Sequence, residues 1–157
     1  MFPVTKAASL LSSCVLAKPT VGGCAWCGKV LAGRRRKWCS EKCASAFWKN
    51  HWWTLARRAA KVRDKYQCKQ CGKAPPKRPN RRVLTTEKSF KEAMRLWRTG
   101  RKQIRLEVNH REPCRGQHGT ISCAHHLDNL ETLCATCHRE HTAAIPRPQT
   151  VRDLARR

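Results

Sequence analysis

Acidic residues are scarce in this chain. It carries 10 Asp and Glu against 34 Lys and Arg over 157 residues, a formal charge of +24 at pH 7. That balance excludes acidic-tail and acidic disordered classes and calls for a polyanionic partner, most simply nucleic acid. Long apolar runs are missing as well. The apolar stretch near the N-terminus, residues 7–17, is too short to span a bilayer. Lys6 before it and Leu11-Ser12-Ser13-Cys14 within it imitate a secretory signal with a lipoprotein processing box. Export, however, would expose the paired thiols downstream to oxidation. Residues 1–22 are therefore read as a mobile leader, and the compartment as a reducing one inside a cell. No repeat of fixed period covers the chain. Its length suits one or two small domains rather than a large enzyme with a deep core.

What the chain has in excess is cysteine, 11 in all. The spacing favours metal over disulfides. Cys24-x2-Cys27 followed by Gly28 is a knuckle pattern, a small turn that aims two sulfurs and backbone N–H groups at one point. Cys39-x3-Cys43 follows where a helix should begin, with Ser40 as its cap and Cys43 one turn in, so both sulfurs can face the knuckle. Knuckle, short hairpin (Lys29 to Lys37) and helix make a treble-clef-like zinc unit holding Cys24, Cys27, Cys39 and Cys43. Cys68-x2-Cys71-Gly72 repeats the knuckle, and its best partner is the distant Cys134-x2-Cys137. A zinc joining these four would close a loop of roughly 60 residues and set the architecture of the second half. Eight thiolates on two zinc ions contribute about −4, leaving roughly +20. Of the other three cysteines, Cys114 and Cys123 flank a polar loop and offer a third metal site with His118; Cys14 has no assigned part.

Between the cysteine clusters the chain is basic and mainly helical. After Cys43 one helix is expected, with an apolar stripe of Trp48, Trp52, Leu55, Ala59 and Val62 at helical spacing. The tryptophans are read as core rather than as platforms for bases. Lys49, Arg57, Arg58, Lys61 and Arg63 occupy the remaining surface. With Arg34, Arg35, Arg36, Arg81 and Arg82 they form the candidate DNA-facing set, contacting phosphates rather than reading bases. A further helix is expected from Thr86 to Thr99, with Phe90, Met94 and Trp97 on one face and Gly100 as its stop. The three prolines between Lys73 and Arg82 define a basic loop suited to riding along a phosphate backbone.

The segment Leu106-Glu107-Val108-Asn109-His110-Arg111-Glu112-Pro113 reads as a short strand ending at a polar pair. A loop follows, then Leu127-Asp128-Asn129-Leu130 and Leu133-Cys134-Ala135-Thr136-Cys137-His138-Arg139-Glu140-His141. The order His110, Asn129, His138, with Leu-Asp-Asn-Leu ahead of Leu-Cys-x2-Cys-His, resembles the HNH endonuclease family over roughly residues 66–145. The N-terminal cluster resembles an accessory zinc unit found in some phage and actinobacterial members. The resemblance implies a small α+β, zinc-stabilised protein with a ββα-metal core and the N-terminal zinc unit joined to it by helices. The implied organisation is a leader (1–22), a zinc unit with its basic helix (23–65), a nuclease domain (66–145) and a basic tail (146–157). It implies metal-dependent hydrolysis of phosphodiester bonds in duplex DNA, in a bacterial or phage-infected cytoplasm.

Residue by residue, the resemblance makes His110 the general base, Asn129 the loop-bracing or metal-reaching residue, and His138 the helix-borne ligand of a catalytic Mg²⁺, Mn²⁺ or other divalent ion. Asn109 takes a ligand position usually filled by Asp or His, and His141 is a possible further ligand. Cys68, Cys71, Cys134 and Cys137 match the family's structural zinc. The physical requirements agree: a neutral imidazole is a competent base for water near pH 7, and a cation stabilises the pentavalent phosphorus. Asn109 is the departure, since its neutral amide oxygen is a poorer donor, leaving Asp128, Glu107 or Glu112 as substitutes. His125 and His126 are given no catalytic part. The competing classes are a zinc-stabilised basic DNA-binding protein without catalysis and a disulfide-rich secreted toxin.

Overall fold

The computed structural model describes residues 10–84, 86–114 and 116–145. The basic tail 146–157 and residues 1–9 lie outside the described residues. The chain is a small α+β protein. Its elements are α1 (Glu41–His51), α2 (Trp53–Arg63), α3 (Glu87–Gln103), β1 (Leu106–His110), β2 (Leu130–Cys134) and α4 (Ala135–Ala144), with short 3-10 turns at Gln117–Gly119, Cys123–His125 and Leu127–Asn129. No helix among the described residues is long and apolar enough to cross a membrane. Two compact units form from discontinuous pieces: Met1–Tyr66 with Val108–Thr132, and Gln67–Glu107 with Leu133–Arg157.

In the first unit, residues 10–13 form a helical turn rather than the end of a mobile leader. Leu11 is 5% exposed and packs with Phe47 and Ile121, against which Trp26, Trp38, Trp48 and Trp52 also rest. Two core tryptophans, Trp48 and Trp52, thus lie against this cluster as the sequence suggests. The helix itself differs from expectation. Ser40 does cap α1, accepting the Cys43 N–H at 3.3 Å, but the helix ends at His51. Trp52 adopts extended backbone (φ −105°, ψ 115°) and pairs in an isolated antiparallel bridge with Ile121. This break re-phases the buried stripe, which runs Phe47 and His51 in α1, then Ala56 and Ala60 in α2. Val62, placed in the stripe by a continuous helix, is 56% exposed.

Arg63 also leaves the candidate DNA-facing set. Its guanidinium donates to the carbonyls of Leu127 and Leu130 and pairs with Asp64, whose carboxylate accepts the Thr132 N–H at 2.9 Å. Burial opposes ionisation of Asp64, but the Arg63 and Thr132 hydrogen bonds and the Arg63 charge outweigh it and hold the carboxyl below its usual range.

In the second unit α3 runs past Thr99 and through Gly100 to Gln103, capped by Thr86. Gly100 is not a stop. A Cβ there would meet Pro76 Cγ at 3.0 Å, so its missing side chain admits the proline loop, and Trp97 Nε1 donates to Pro76 O at 3.1 Å. The proline loop is thus packed on the helix; Arg78 and Arg81 lie over the rings of Trp97 and Phe90, 5.9 and 4.9 Å from their centroids. Strands β1 and β2 pair antiparallel, with Arg111 N–H on Asn129 O at 2.8 Å and Ala135 N–H on Arg105 O at 3.2 Å. That register sets Asn109 opposite Glu131.

Candidate metal centres

Among the described residues, four groups of side chains can hold a metal: Cys24/Cys27/Cys39/Cys43, Cys68/Cys71/Cys134/Cys137, Cys14/His51/Cys123/His126 and His110/Cys114/His118. The ligand atoms within each group lie within 4.8 Å of one another. No disulfide joins any of the eleven cysteines.

The two four-cysteine groups share one local design. In the first, Cys24 N–H donates to Lys29 O at 2.7 Å and Gly28 N–H to Cys24 O at 2.8 Å. In the second, Cys68 N–H donates to Lys73 O at 2.8 Å and Gly72 N–H to Cys68 O at 2.9 Å. Gly28 and Gly72 sit at φ +75° and +72°, which a side chain would strain, and a Cβ at Gly28 would also meet Lys18 O at 2.7 Å. The turn points amide hydrogens at sulfur. Burial pushes the Cys24 thiol up, but the N–H groups of Cys27, Cys39 and Trp26 outweigh it and bring it down to about 6. Cys68 reaches about 6 by the same opposition, with Cys71, Cys134 and Gln70 as donors. Zinc requires thiolates, and the rest of each group resists ionisation without it: the Ser40 hydrogen bond lowers Cys43, but burial and the neighbouring thiols push it up to about 12, and burial with Cys134, Cys71 and Cys68 raises Cys137. Sulfurs 3.6 Å apart (Cys27–Cys39), 3.5 Å (Cys39–Cys43) and 3.7 Å (Cys71–Cys134) approach the roughly 3.8 Å edge of a tetrahedral four-sulfur zinc. Between Lys29 and Lys37 the expected hairpin reduces to a Gly23–Val30 bridge and a bond from Ala25 N–H to Lys37 O.

The third group was not legible in the sequence. Its ligands come from three separate segments: Cys14 from the segment read as a leader, His51 from the last turn of α1, and Cys123 and His126 from the polar loop. Cys123 therefore does not join Cys114 and His118. Instead Cys114 and His118 meet His110.

Of the residues singled out by the HNH-like order, His110 is 7% exposed. Its Nε2 lies 3.0 Å from His125 Nδ1, its ring stacks on Trp53 at 4.7 Å, and His118 meets it edge-on at 5.1 Å. Burial, then the neighbouring His125 and His118, lower its pKa to about 4, so it is neutral at pH 7. Asn109 donates to Glu131 Oε1 at 3.1 Å. Asn129 braces the loop: its Oδ1 accepts the Glu112 N–H at 2.8 Å, while its Nδ2 donates to Glu112 O and Ala124 O at 3.1 and 2.9 Å. His138, on the first turn of α4, holds Glu107 through Nδ1 to Oε2 at 2.6 Å. His141, half-buried on α4, joins none of the four groups. His110 belongs to the first unit and His138 to the second. Trp53, His125 and Glu131 carry no spacing signal that names them; Glu107, one of the substitutes expected for Asn109, shares the Asn109 face of β1 by strand alternation.

The basic candidates Arg34, Arg35, Arg36, Lys49, Arg57, Arg58, Arg81 and Arg82 are exposed, and Lys61 is half-buried. Arg81 also pairs with Glu87. Arg63 apart, five Lys and Arg face one Glu along Glu41–Arg63, so α1 and α2 present a strongly cationic exterior. An open cleft of about 600 Å³ lies beside the loop, lined in part by Arg111, Glu112, Cys123, His126 and Asn129. Comparison with family models, with curated proteins and with solved structures finds no match.

Proposed function

We propose that this protein is a metal-dependent DNA endonuclease of the HNH type, built on zinc-binding cysteine clusters. The observation that carries the reading is the order strand, braced loop, strand, helix, with His110 ending β1, Asn129 bracing the loop and His138 opening α4 beside a four-cysteine group. In this reading His110 accepts the proton of the attacking water. Glu107 and His138, 2.6 Å apart through Oε2 and Nδ1, would hold the divalent ion, Glu107 with the anionic oxygen that Asn109 lacks, and the ion would supply charge stabilisation at the phosphate. The exposed arginines of Arg34–Arg36 and of α2 contact phosphates, so affinity falls steeply with salt.

A plasmid-cleavage time course over a panel of divalent ions tests the proposal. Wild-type protein nicks or linearises supercoiled DNA. His110→Ala and His138→Ala each slow cleavage at least about 100-fold while zinc content and DNA affinity are retained. Intact plasmid with every ion, or wild-type cleavage by His110→Ala, overturns it. A specific observation favours a second reading, a non-catalytic zinc-stabilised DNA-binding protein. His110 is buried, and its Nε2 is already engaged by His125, which leaves that nitrogen poorly placed to meet water. That reading predicts salt-sensitive DNA binding without cleavage.

A further inference from the structure

We infer that Cys14, His51, Cys123 and His126 form a Cys2His2 zinc site, separate from both four-cysteine groups and independent of the nuclease reading. Cys14 Sγ lies 3.2 Å from His51 Nε2 and 3.4 Å from His126 Nε2, and the two Nε2 atoms are 3.0 Å apart. A tetrahedral zinc sets sulfur–nitrogen edges of about 3.6 Å and nitrogen–nitrogen edges of about 3.3 Å. All three observed distances fall a few tenths of an ångström inside those edges. Cys123 completes the set.

The surroundings prepare His51 to be a ligand. Its Nδ1 lies 2.7 Å from the Phe47 carbonyl, which can only accept, so Nδ1 carries the proton and Nε2 presents a lone pair. The ring is fully buried and stacks on Phe47 at 4.4 Å, which fixes its direction. That lone pair is aimed at another imidazole and two sulfurs, the donor set of a tetrahedral zinc, and a cation among them would satisfy it together with His126 Nε2 and both sulfurs at once. Two thiolates neutralise a divalent ion, and two neutral imidazoles close the tetrahedron with no acidic side chain needed.

The break in the helix positions this set. Ending α1 at His51 frees its carbonyl to accept the Ser122 N–H at 3.1 Å, Trp52 bridges to Ile121, and Asn50 Oδ1 accepts the Leu127 N–H at 3.0 Å. These contacts hold both ends of the loop bearing Cys123 and His126 against the end of α1. The metal would then tie in Cys14, 37 residues from His51 and 112 from His126 along the chain, so one ion closes two long loops. His125, the neighbour of His126, is the residue whose Nδ1 meets His110. The ion therefore also fixes the loop that holds His110.

The test uses the full chain purified with its metal. Zinc per chain is measured for wild type, Cys14→Ser, Cys123→Ser and His126→Cys. The two serine variants are expected to carry one zinc fewer than wild type. His126→Cys is expected to keep the wild-type count, while the visible spectrum of its cobalt-substituted form shifts toward a sulfur-richer site. Should the variants fail to fold, alkylation of the wild type decides. Cys14 and Cys123 are expected to resist iodoacetamide until a chelator removes zinc. Unchanged zinc in the serine variants, alkylation indifferent to chelator, or a Cys14–Cys123 disulfide found by mass spectrometry overturns the inference.

Discussion

The four-cysteine groups and the Cys14/His51/Cys123/His126 group occupy the same small protein and are built in opposite ways. Each four-cysteine group starts from a turn that carries two sulfurs on its own backbone, with the same pair of hydrogen bonds and the same positive-φ glycine at Gly28 and Gly72. The mixed group has no such seed. Helix α1, the Trp52–Ile121 bridge and the Asn50–Leu127 bond bring its ligands together, so packing precedes it. The lesson is one of cause: a knuckle can gather metal and then organise the chain, whereas the mixed group can only be completed by a chain already folded around Phe47, Leu11 and Ile121.

That contrast makes predictions of graded size. The largest effect belongs to Cys68→Ser or Cys134→Ser. The second unit has little apolar core, its buried cluster being Cys68, Leu133, Cys134 and Cys137 with Leu106 against them, and zinc binding in such small folds is worth on the order of 10 kcal/mol. Hydrogen exchange is expected to show protection lost over α4 while α1 stays protected; uniform protection throughout would erase the contrast. Next comes Asn129→Ala, which strips partners from Glu112 N–H and from the Glu112 and Ala124 carbonyls and should cost about 1–2 kcal/mol in urea denaturation. A loss below about 0.5 kcal/mol would show that the bracing bonds are replaced by water.

Acid titration offers a further measurement on the first unit. His110 has its pKa lowered from 6.5 to about 4, by burial and then by the neighbouring His125 and His118. The unfolded chain takes up this proton near 6.5 and the folded chain does so near 4, so the stability it contributes is fully present above 6.5 and is lost as pH falls through that window. Urea midpoints at several pH values should decline between the two limits, and a flat profile there would contradict the burial of the His110 ring. The smallest effect is Gly100→Ala. The gain in helix propensity is offset by the 3.0 Å approach to Pro76, so the net loss should stay within about 1 kcal/mol. A clear rise in melting temperature would show that the Pro76 loop yields freely.

Legibility in the sequence followed the range of the interaction. Ser40 as cap, the two knuckles, the Cys68/Cys71 pairing with Cys134/Cys137 and the strand at Leu106–His110 are set by residues close together or by repeated motifs. The end of α1 at His51 was not legible, because Trp52 leaves the helix to pair with a segment some 70 residues away. Gly100 reads as a stop by propensity and acts as a gap for Pro76. Arg63 reads as surface charge and fastens Leu127 and Leu130. Cys14 carries no local pattern, and the Cys123-x2-His126 spacing has no partner near it in sequence; their role exists only once α1, the helical turn at residues 10–13 and the polar loop have met.

X-ray absorption at the zinc edge of the purified wild-type protein tests the contrast most directly. Two four-sulfur sites and one Cys2His2 site predict that sulfur dominates the averaged zinc shell with a clear imidazole contribution, about ten sulfurs to two nitrogens over three ions. A shell of sulfur alone, or a chain holding two zinc ions or fewer, would contradict it.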